Sequence, residues 1–283
     1  MKDKIMVSIC CTAYNHEKYI REALDSFLMQ KTNFEYEVII NDDCSTDNTA
    51  SIIREYQEKY PNIIKPIFQQ ENQYSKGKDM LAEVLLPYAK GKYFALCEGD
   101  DYWIDENMLQ KKVDFLEQNP DYVFCVNNAI KVQDNNKKIG KISPVKFDKE
   151  LTCEEFIAGG GDFVATNSIF APIKYTKNLP SYFNNFTIDY LWQIYLASCG
   201  KTYCFKDIMS AYRVNVKGSW TDNIKKNSNE IIKLNDKLIE KLKQIDKELN
   251  SKYEDVIKEK NLELELQNIT INKEYDKLKI EPY

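Results

Sequence analysis

The segment that decides the fold runs from residue 93 to residue 103 and reads Tyr93-Phe94-Ala95-Leu96-Cys97-Glu98-Gly99-Asp100-Asp101-Tyr102-Trp103. Its first five residues form an apolar run that is typical of a buried strand. Three carboxylates follow within four positions, and like charges so close together destabilise a fold unless a cation neutralises them. Hard oxygen ligands suit Mg²⁺ or Mn²⁺. The segment alone allows two interpretations, a polar turn or a site for a divalent cation that carries a phosphate-bearing ligand.

Strands and helices alternate around this segment. Apolar and β-branched runs predict strands at residues 6–12, 36–40, 63–68 and 92–97, and stripes with i, i+3, i+4 spacing predict helices at residues 17–30, 46–60, 80–86 and 105–118. This alternation is typical of crossover units in a parallel sheet with both faces covered. The predicted fold class is therefore α/β, with a Rossmann-like, mostly parallel sheet flanked by helices.

Polar residues follow three of these predicted strands, at residues 12–15, 42–43 and 98–101. In open parallel sheets, ligands bind beyond the carboxyl ends of the strands. We therefore expect the three segments to meet at one crevice, which favours the cation site over the simple turn.

The remainder of the chain predicts two further parts. Residues 121–222 combine a strand at 122–126, a hairpin around Asn135-Asn136 and a helix at 189–198, which indicates a mixed, substrate-shaping half after the ligand-binding half at residues 1–120. Residues 223–283 are predicted to form an amphipathic helical extension, because an apolar stripe runs along a Lys/Glu-rich background. That stripe could serve self-association, docking on the same chain or contact with a partner.

Composition narrows the functional classes. The chain of 283 residues has a net charge of -5, which gives no general attraction to nucleic acid. No apolar run reaches the length of a membrane span and no apolar signal core follows the first lysines, so a cytoplasmic location is predicted, either free or at the inner face of the membrane. The eight cysteines form no Cys-x-x-Cys pair and His16 is the only histidine, which disfavours a zinc site and favours a carboxylate as any catalytic base.

Three motifs together resemble glycosyltransferase family 2. They are Thr12-Ala13-Tyr14-Asn15, Asp42-Asp43-Cys44-Ser45-Thr46-Asp47 and Glu98-Gly99-Asp100-Asp101-Tyr102-Trp103, and the resemblance covers about residues 5–220. It implies the GT-A fold and an inverting transfer of a sugar from a UDP-sugar, with Mn²⁺ or Mg²⁺, to a glycan, lipid-linked or protein-linked acceptor.

The resemblance also implies roles on the donor side. Thr12, Ala13 and Tyr14 match the loop that holds the uracil and ribose, and Asp43 matches the acid that hydrogen-bonds the base edge. Lys78, together with Lys76, could contact the base or the diphosphate, or be an ordinary surface lysine. In the acidic motif, Asp101 supported by Asp100 is the predicted metal-binding end, and Glu98 is predicted nearer the ribose or a water. Tyr102 and Trp103 are predicted to floor the sugar site, with burial in the core as the alternative.

On the acceptor side, Ile188-Asp189-Tyr190-Leu191-Trp192 resembles the family's Glu-Asp-x-x-Leu segment. Asp189 is the predicted base, with a helix N-cap as the alternative. Ile188 stands where the family often has Glu. Asn215 stands where a metal-ligating His is usual, ahead of Gly218-Ser219-Trp220, which resembles a flexible closing segment.

Two other classes remain open at this point. A nucleotidyltransferase is disfavoured because the first loop lacks a Gly-rich, basic phosphate cradle. A catalytically inactive binding or assembly module is weakly favoured by Ile188 and Asn215, and disfavoured by Asp43, Asp100, Asp101 and Asp189. A dinucleotide oxidoreductase is set aside because no Gly-x-Gly-x-x-Gly follows the first strand.

Overall fold

The computed structural model describes residues 5–184, 186, 188–216, 224 and 227–273. Its strands are β1 Val7–Ala13, β2 Tyr36–Asp42, β3 Ile64–Phe68, β4 Tyr93–Leu96, β5 Tyr102–Trp103, β6 Tyr122–Val132, β7 Lys138–Ile142, β8 Lys149–Leu151, β9 Phe170–Pro172 and β10 Lys201–Arg213. Its α-helices are α1 Ile20–Leu28, α2 Thr49–Lys59, α3 Met108–Gln118, α4 Cys153–Gly159, α5 Asp189–Ser198, α6 Ser228–Glu248 and α7 Glu254–Asn272. The predicted helix near residue 80 is instead a π-helical turn, Met80–Leu85, followed by a 3-10 turn that contains Pro87.

One ten-stranded sheet runs through the described chain in the order β3-β2-β1-β4-β9-β6-β10-β5, with β7 beside β6 and β8 beside β10. Strands β1 to β4 pair in parallel, whereas β9 is antiparallel to both β4 and β6. The predicted α/β class with a mostly parallel sheet is confirmed. The predicted boundary near residue 120 does not interrupt the sheet, because strands from both sides of it belong to the same ten.

Both faces of the sheet are covered, as the apolar strands require. In β1, Ile9 and Cys11 face a core shared with α1, α2 and α3, while Cys10 faces the opposite core shared with α5 and the C-terminal helices. This alternation is the two-residue period of a strand. Because both faces are covered, the ends of the strands are the accessible part of the sheet.

The C-terminal extension is a helical hairpin packed on the rest of the chain. Helices α6 and α7 are separated by a turn in which Asn250 and Ser251 have positive φ. The apolar stripe of α6 (Leu238, Ile239, Leu242 and Ile245) belongs to the same core as α5. The apolar stripe for which self-association was one interpretation is therefore packed within the chain. Among the described helices, none is long and apolar enough to cross a bilayer.

This packing predicts a contrast between two leucines of the hairpin. Leu242 is fully buried, so Leu242→Ala is expected to lower the free energy of unfolding by about 2–5 kcal/mol. Leu262 is 56% exposed, so Leu262→Ala is expected to change it by less than about 0.5 kcal/mol. Urea denaturation of the two variants measures both, and equal losses would contradict the docked hairpin.

Candidate active site

The three polar segments predicted to share a crevice do meet at the carboxyl ends of β1, β2 and β4. The Asp43 amide donates to the Ala13 carbonyl at 2.9 Å, and the Gly99 amide donates to the Thr12 carbonyl at 2.8 Å. The loop after β1 is thus hydrogen-bonded to each of the other two. The short parallel strands place their ends side by side, and these backbone bonds hold the loops in register.

The loop after β1 presents one aromatic ring to solvent. Thr12 is half-buried and Ala13 is buried, whereas Tyr14 is 45% exposed. Asn15 has a φ of 56°; its amide donates to the Ser45 hydroxyl, and its side-chain oxygen accepts from the Thr46 amide. These bonds fix the backbone on the C-terminal side of Tyr14, whose exposed side chain belongs to the loop that borders the crevice.

Asp43 lies under the neighbouring loop. Its side chain is buried, and its two oxygens accept the amides of Gln73 and Tyr74 at 2.7 and 3.0 Å. The carboxylate therefore orders the segment that leads to Lys78, whose side chain is exposed. Asp42 is also buried, and desolvation raises its pKa above the ordinary aspartate range.

The acidic motif places its three carboxylates in different environments. Asp101 is only 2% exposed, and its oxygens accept from the Asn167 side-chain amide at 3.0 Å and the Arg213 backbone amide at 2.7 Å. Glu98 is half-buried, and neither of its oxygens accepts a hydrogen bond from a described residue. Asp100 is half-buried, with one oxygen 3.9 Å from His16 Nε2. Asp101 is thus built into the protein, while the side-chain oxygens of Glu98 and Asp100 accept no hydrogen bond from the part of the chain that the structure describes.

Arg213 holds this motif in place, and sequence reasoning had given it no role. Its guanidinium is 1% exposed; Nε donates to the Asp100 carbonyl at 2.7 Å, and Nη2 pairs with Glu22 of α1 at 2.6 Å. Nη1 donates to the Asn136 side-chain oxygen at 2.6 Å and to the Gln133 carbonyl at 2.9 Å. One buried cation therefore ties the acidic motif to α1 and to the turn between β6 and β7.

His16 lies directly beneath Gly99. A Cβ on Gly99 would come within 2.9 Å of His16 Nδ1, so the turn between Glu98 and Asp100 needs glycine for this close approach. Nδ1 is buried without a hydrogen-bond partner among the described residues, which leaves Nε2 as the nitrogen that faces Asp100. The single histidine of the chain is thus part of the site, although the sequence assigned it no role.

Asp189 is the first residue of α5, and Ile188 rather than Asp189 occupies the N-cap position. Its Oδ2 accepts the Thr166 hydroxyl at 2.6 Å. Burial raises the pKa of Asp189 above its usual range; the Thr166 hydrogen bond opposes this, and the charge of Asp79 adds to it. Thr166 and Asp79 were not predicted, since nothing in their local sequence marks them.

Four acids share the electrostatic environment of the crevice. Burial raises the pKa of Glu98 well above the ordinary range, and the charges of Asp189, Asp100 and Asp101 raise it further. Burial and the charges of the same four carboxylates also raise the pKa of the Tyr212 phenol. Asp189 and Asp101 accept hydrogen bonds from the adjacent residues Thr166 and Asn167, so Asp189 lies near the acidic motif although 88 residues separate it from Asp101 in the sequence.

One of the two predicted sugar-site aromatics is a core residue. Trp103 is 1% exposed, packs edge-on against Phe27 and donates its indole N–H to the Asn167 carbonyl at 2.9 Å. The prediction that it floors the sugar site is wrong, because every edge of the ring is covered by protein. Tyr102 is half-buried, with the Arg213 guanidinium 5.5 Å from its ring centre.

The donor set fits a divalent cation that is shared with a substrate phosphate rather than a closed protein cage. Among the described residues, no three His, Cys, Asp or Glu side chains converge on one point. Magnesium is commonly held by one or two carboxylates plus substrate phosphates, and Asp100 and Glu98 offer such oxygens. Asn215 is exposed with a φ of 61°, and the predicted closing segment at Gly218-Ser219-Trp220 lies outside the described residues.

Comparison with known proteins identifies the class to which this fold and site belong. The model of the family "Glycosyl transferase family 2" matches residues 8–170, more than half of the 283-residue chain. The chain belongs to glycosyltransferase family 2, and the predicted resemblance is confirmed.

The similar relatives include an uncharacterised protein of Mycobacterium tuberculosis strain H37Rv. It is 36% identical over 220 residues, which are 76% of this chain and 60% of that protein. The Escherichia coli UDP-Glc:alpha-D-GlcNAc-diphosphoundecaprenol beta-1,3-glucosyltransferase WfgD is 30% identical over 145 residues, 51% of this chain and 53% of that protein. The chain thus spans between half and two thirds of the length of these relatives.

A solved structure supports the fold assignment. The Staphylococcus aureus TarS segment 1–349 in complex with UDP-GlcNAc has a TM-score of 0.64 with this chain at 19% identity, and the match covers 98% of this chain and 76% of that one. At this identity the likeness establishes the fold, and the GT-A architecture that the resemblance implied is confirmed.

Proposed function

We propose that this chain is an inverting glycosyltransferase that moves a sugar from a UDP-sugar to an acceptor hydroxyl. The observation that carries the proposal is that Asp189, on α5, and Asp101, after β4, accept hydrogen bonds from the adjacent residues Thr166 and Asn167. A metal-bound diphosphate and a base on the opposite face of the sugar are the two parts that such a reaction needs. Family membership supports the reaction class.

On the donor side, Thr12, Ala13 and Tyr14 would bind the nucleoside, with the exposed Tyr14 ring as its flank. Asp43 would act on the base through the loop that it orders at Gln73 and Tyr74. Lys78 follows that loop with an exposed ammonium, which suits contact with the diphosphate. The WfgD name records a UDP-Glc donor for that relative.

For the metal end, we propose Asp100 as the first ligand, ahead of Asp101. Asp101 already accepts hydrogen bonds at both oxygens and holds the loop together, whereas the Asp100 carboxylate, 3.9 Å from His16 Nε2, accepts none from the described residues. Glu98 has unused oxygens that could reach the cation, the ribose or a water. When bound, Mn²⁺ or Mg²⁺ would stabilise the negative charge on the leaving diphosphate.

On the acceptor side, Asp189 would accept the proton of the attacking hydroxyl, with Thr166 fixing the rotation of its carboxylate. Tyr102 is retained as a candidate sugar contact. A lipid-linked acceptor at the inner face of the membrane is supported by the diphosphoundecaprenol acceptor named for WfgD, while glycan and protein-linked acceptors are the other candidates. No observation favours a nucleotidyltransferase or an inactive module over this reading.

Calorimetry with UDP tests the donor half. For the unchanged chain we expect Mn²⁺ to tighten UDP binding. Asp100→Asn removes a charged ligand, so it is expected to weaken UDP binding in the presence of Mn²⁺ by about 10–100-fold. The matched control is Asp114→Asn, an exposed acid of α3 whose loss should leave UDP binding unchanged. Equal UDP affinity with and without metal would overturn the metal-bound diphosphate.

A further inference from the structure

A basic segment lies at the margin of the sheet, where β7 pairs with β6. Residues 137–149, here called the basic segment, contain five lysines and one acid, so the segment carries a net charge of +4 within a chain of net charge -5. It comprises Lys137, β7, the loop that follows β7 and the first residue of β8. The lysines are Lys137, Lys138, Lys141, Lys146 and Lys149.

Most of these cations have no acidic partner. All five side chains are exposed, and only Lys149 forms an ion pair with a described residue, Glu155, at 2.6 Å. Some lysines elsewhere in the described chain do form ion pairs, as Lys92 does with Glu117 and Lys111 with Asp105. The basic segment therefore presents uncompensated positive charge.

Two large apolar side chains stand among these lysines. Phe147 is 75% exposed, more than any other large hydrophobic residue described, and Ile139 is 45% exposed. The loop beneath Phe147 is tied to the sheet, because Val145 is buried and its carbonyl accepts from the Asn128 side chain at 3.0 Å. On the other side of Phe147, Asp148 accepts the Lys206 amide at 2.7 Å. Phe147 is thus held outward by an ordered loop.

The basic segment follows a turn that is hydrogen-bonded to the candidate active site. The turn that precedes it, residues 133–136, is hydrogen-bonded to the Arg213 guanidinium through Gln133 and Asn136, and Arg213 also holds Asp100. Lysines on an edge strand such as β7 also discourage edge-to-edge pairing. That role does not account for Phe147, which lies outside the strand.

We propose that the basic segment docks on an anionic lipid bilayer, with its lysines at the headgroup phosphates and with Phe147 and Ile139 entering the interface. Exposed apolar side chains interspersed with lysines are the pattern of interfacial anchoring. An anionic bilayer matches both features, since its phosphates pair with lysines and its interface takes up apolar side chains. The proposal is independent of sugar transfer, since vesicle binding needs no donor, and it would set the candidate site at the surface where a lipid-linked acceptor lies.

Co-sedimentation with vesicles tests the proposal. The full chain is expected to sediment with phosphatidylcholine vesicles that contain phosphatidylglycerol and to stay in solution with pure phosphatidylcholine, and added salt should weaken the binding. Each lysine contributes about fivefold to such partitioning. The variant Lys137→Gln/Lys138→Gln/Lys141→Gln/Lys146→Gln should therefore lose binding by about a hundredfold or more, and Phe147→Ser by about tenfold.

A matched variant separates local from overall charge. Lys177→Gln/Lys243→Gln/Lys247→Gln/Lys258→Gln removes the same charge from exposed positions outside the basic segment and should keep vesicle binding within about twofold to threefold of the unchanged chain. Unchanged metal-dependent UDP binding in both variants reports an intact fold. Equal loss in the two variants, binding to neutral vesicles, or binding to soluble polyphosphate but not to anionic vesicles would each overturn the proposal.

Discussion

Asp189→Asn is expected to lower the rate of sugar transfer by about 10²–10⁴-fold while UDP binding stays within about twofold of that of the unchanged chain, because general-base catalysis contributes a factor of this size. The amide keeps the size of the carboxylate and can still accept the Thr166 hydroxyl at 2.6 Å, so the start of α5 should be preserved. Single-turnover transfer together with UDP calorimetry measures the two effects separately.

The matched control is Asp162→Asn, an exposed acid in the loop after α4, which should transfer sugar at the unchanged rate. If Asp189→Asn transferred sugar at a rate within a few fold of the unchanged chain, the base would have to be another group. If it lost UDP binding as well, Asp189 would belong to the donor site rather than to the acceptor side.

The same assignment fixes the direction of the pH dependence. The base must be ionised to accept a proton, and burial together with the charge of Asp79 raises the pKa of Asp189. On acidification, the rate of sugar transfer should therefore begin to fall at a higher pH than it would if the base were an exposed aspartate. Asp79→Asn removes the neighbouring negative charge and should move this acid limb to lower pH, which a kcat/KM profile would detect.

The sequence predicted the sheet and the meeting point of its loops because both depend on local patterns. The apolar run before Glu98 has strand length and ends in turn-forming residues, and the strand-end rule for parallel sheets then places residues 12–15, 42–43 and 98–101 together. These inferences need only the order of the elements. The backbone bonds from Asp43 to Ala13 and from Gly99 to Thr12 show the same convergence.

What the sequence could not supply is the orientation of each side chain. Asp100 and Asp101 are neighbours of the same chemical type, yet Asp101 faces Asn167 and the Arg213 amide while Asp100 faces His16. Trp103 looked like a platform for a sugar, and only the packing of Phe27 against it shows that it belongs to the core. Thr166 and Arg213 were missed because their partners lie 23 and up to 191 residues away in the chain.

Arg213→Met is expected to lower the free energy of unfolding by about 3–5 kcal/mol, because it leaves Glu22 without its buried partner. It also removes the donor from four other acceptors, the carbonyls of Asp100, Gln133 and Asp134 and the side-chain oxygen of Asn136. The chain offers a matched control in Arg21, whose guanidinium pairs with Glu55 through two bonds of 3.0 and 2.6 Å at an exposed position. Arg21→Met should cost about 0–1 kcal/mol. Urea denaturation compares the two.

A second variant at Arg213 separates its role in stability from its role in positioning the proposed metal ligand Asp100. Arg213→Lys keeps the charge next to Glu22 but cannot reproduce the planar fork of donors that reaches both the Asp100 carbonyl and the turn at Asn136. We therefore expect it to fold with partial stability and to lose most of the metal-dependent gain in UDP affinity, because the Asp100 loop is no longer held from both sides. If Arg213→Lys recovered stability and metal-dependent UDP binding together, charge alone would suffice at this position. If it recovered neither, its stabilising and positioning effects would be inseparable, and the fork geometry would be what both require.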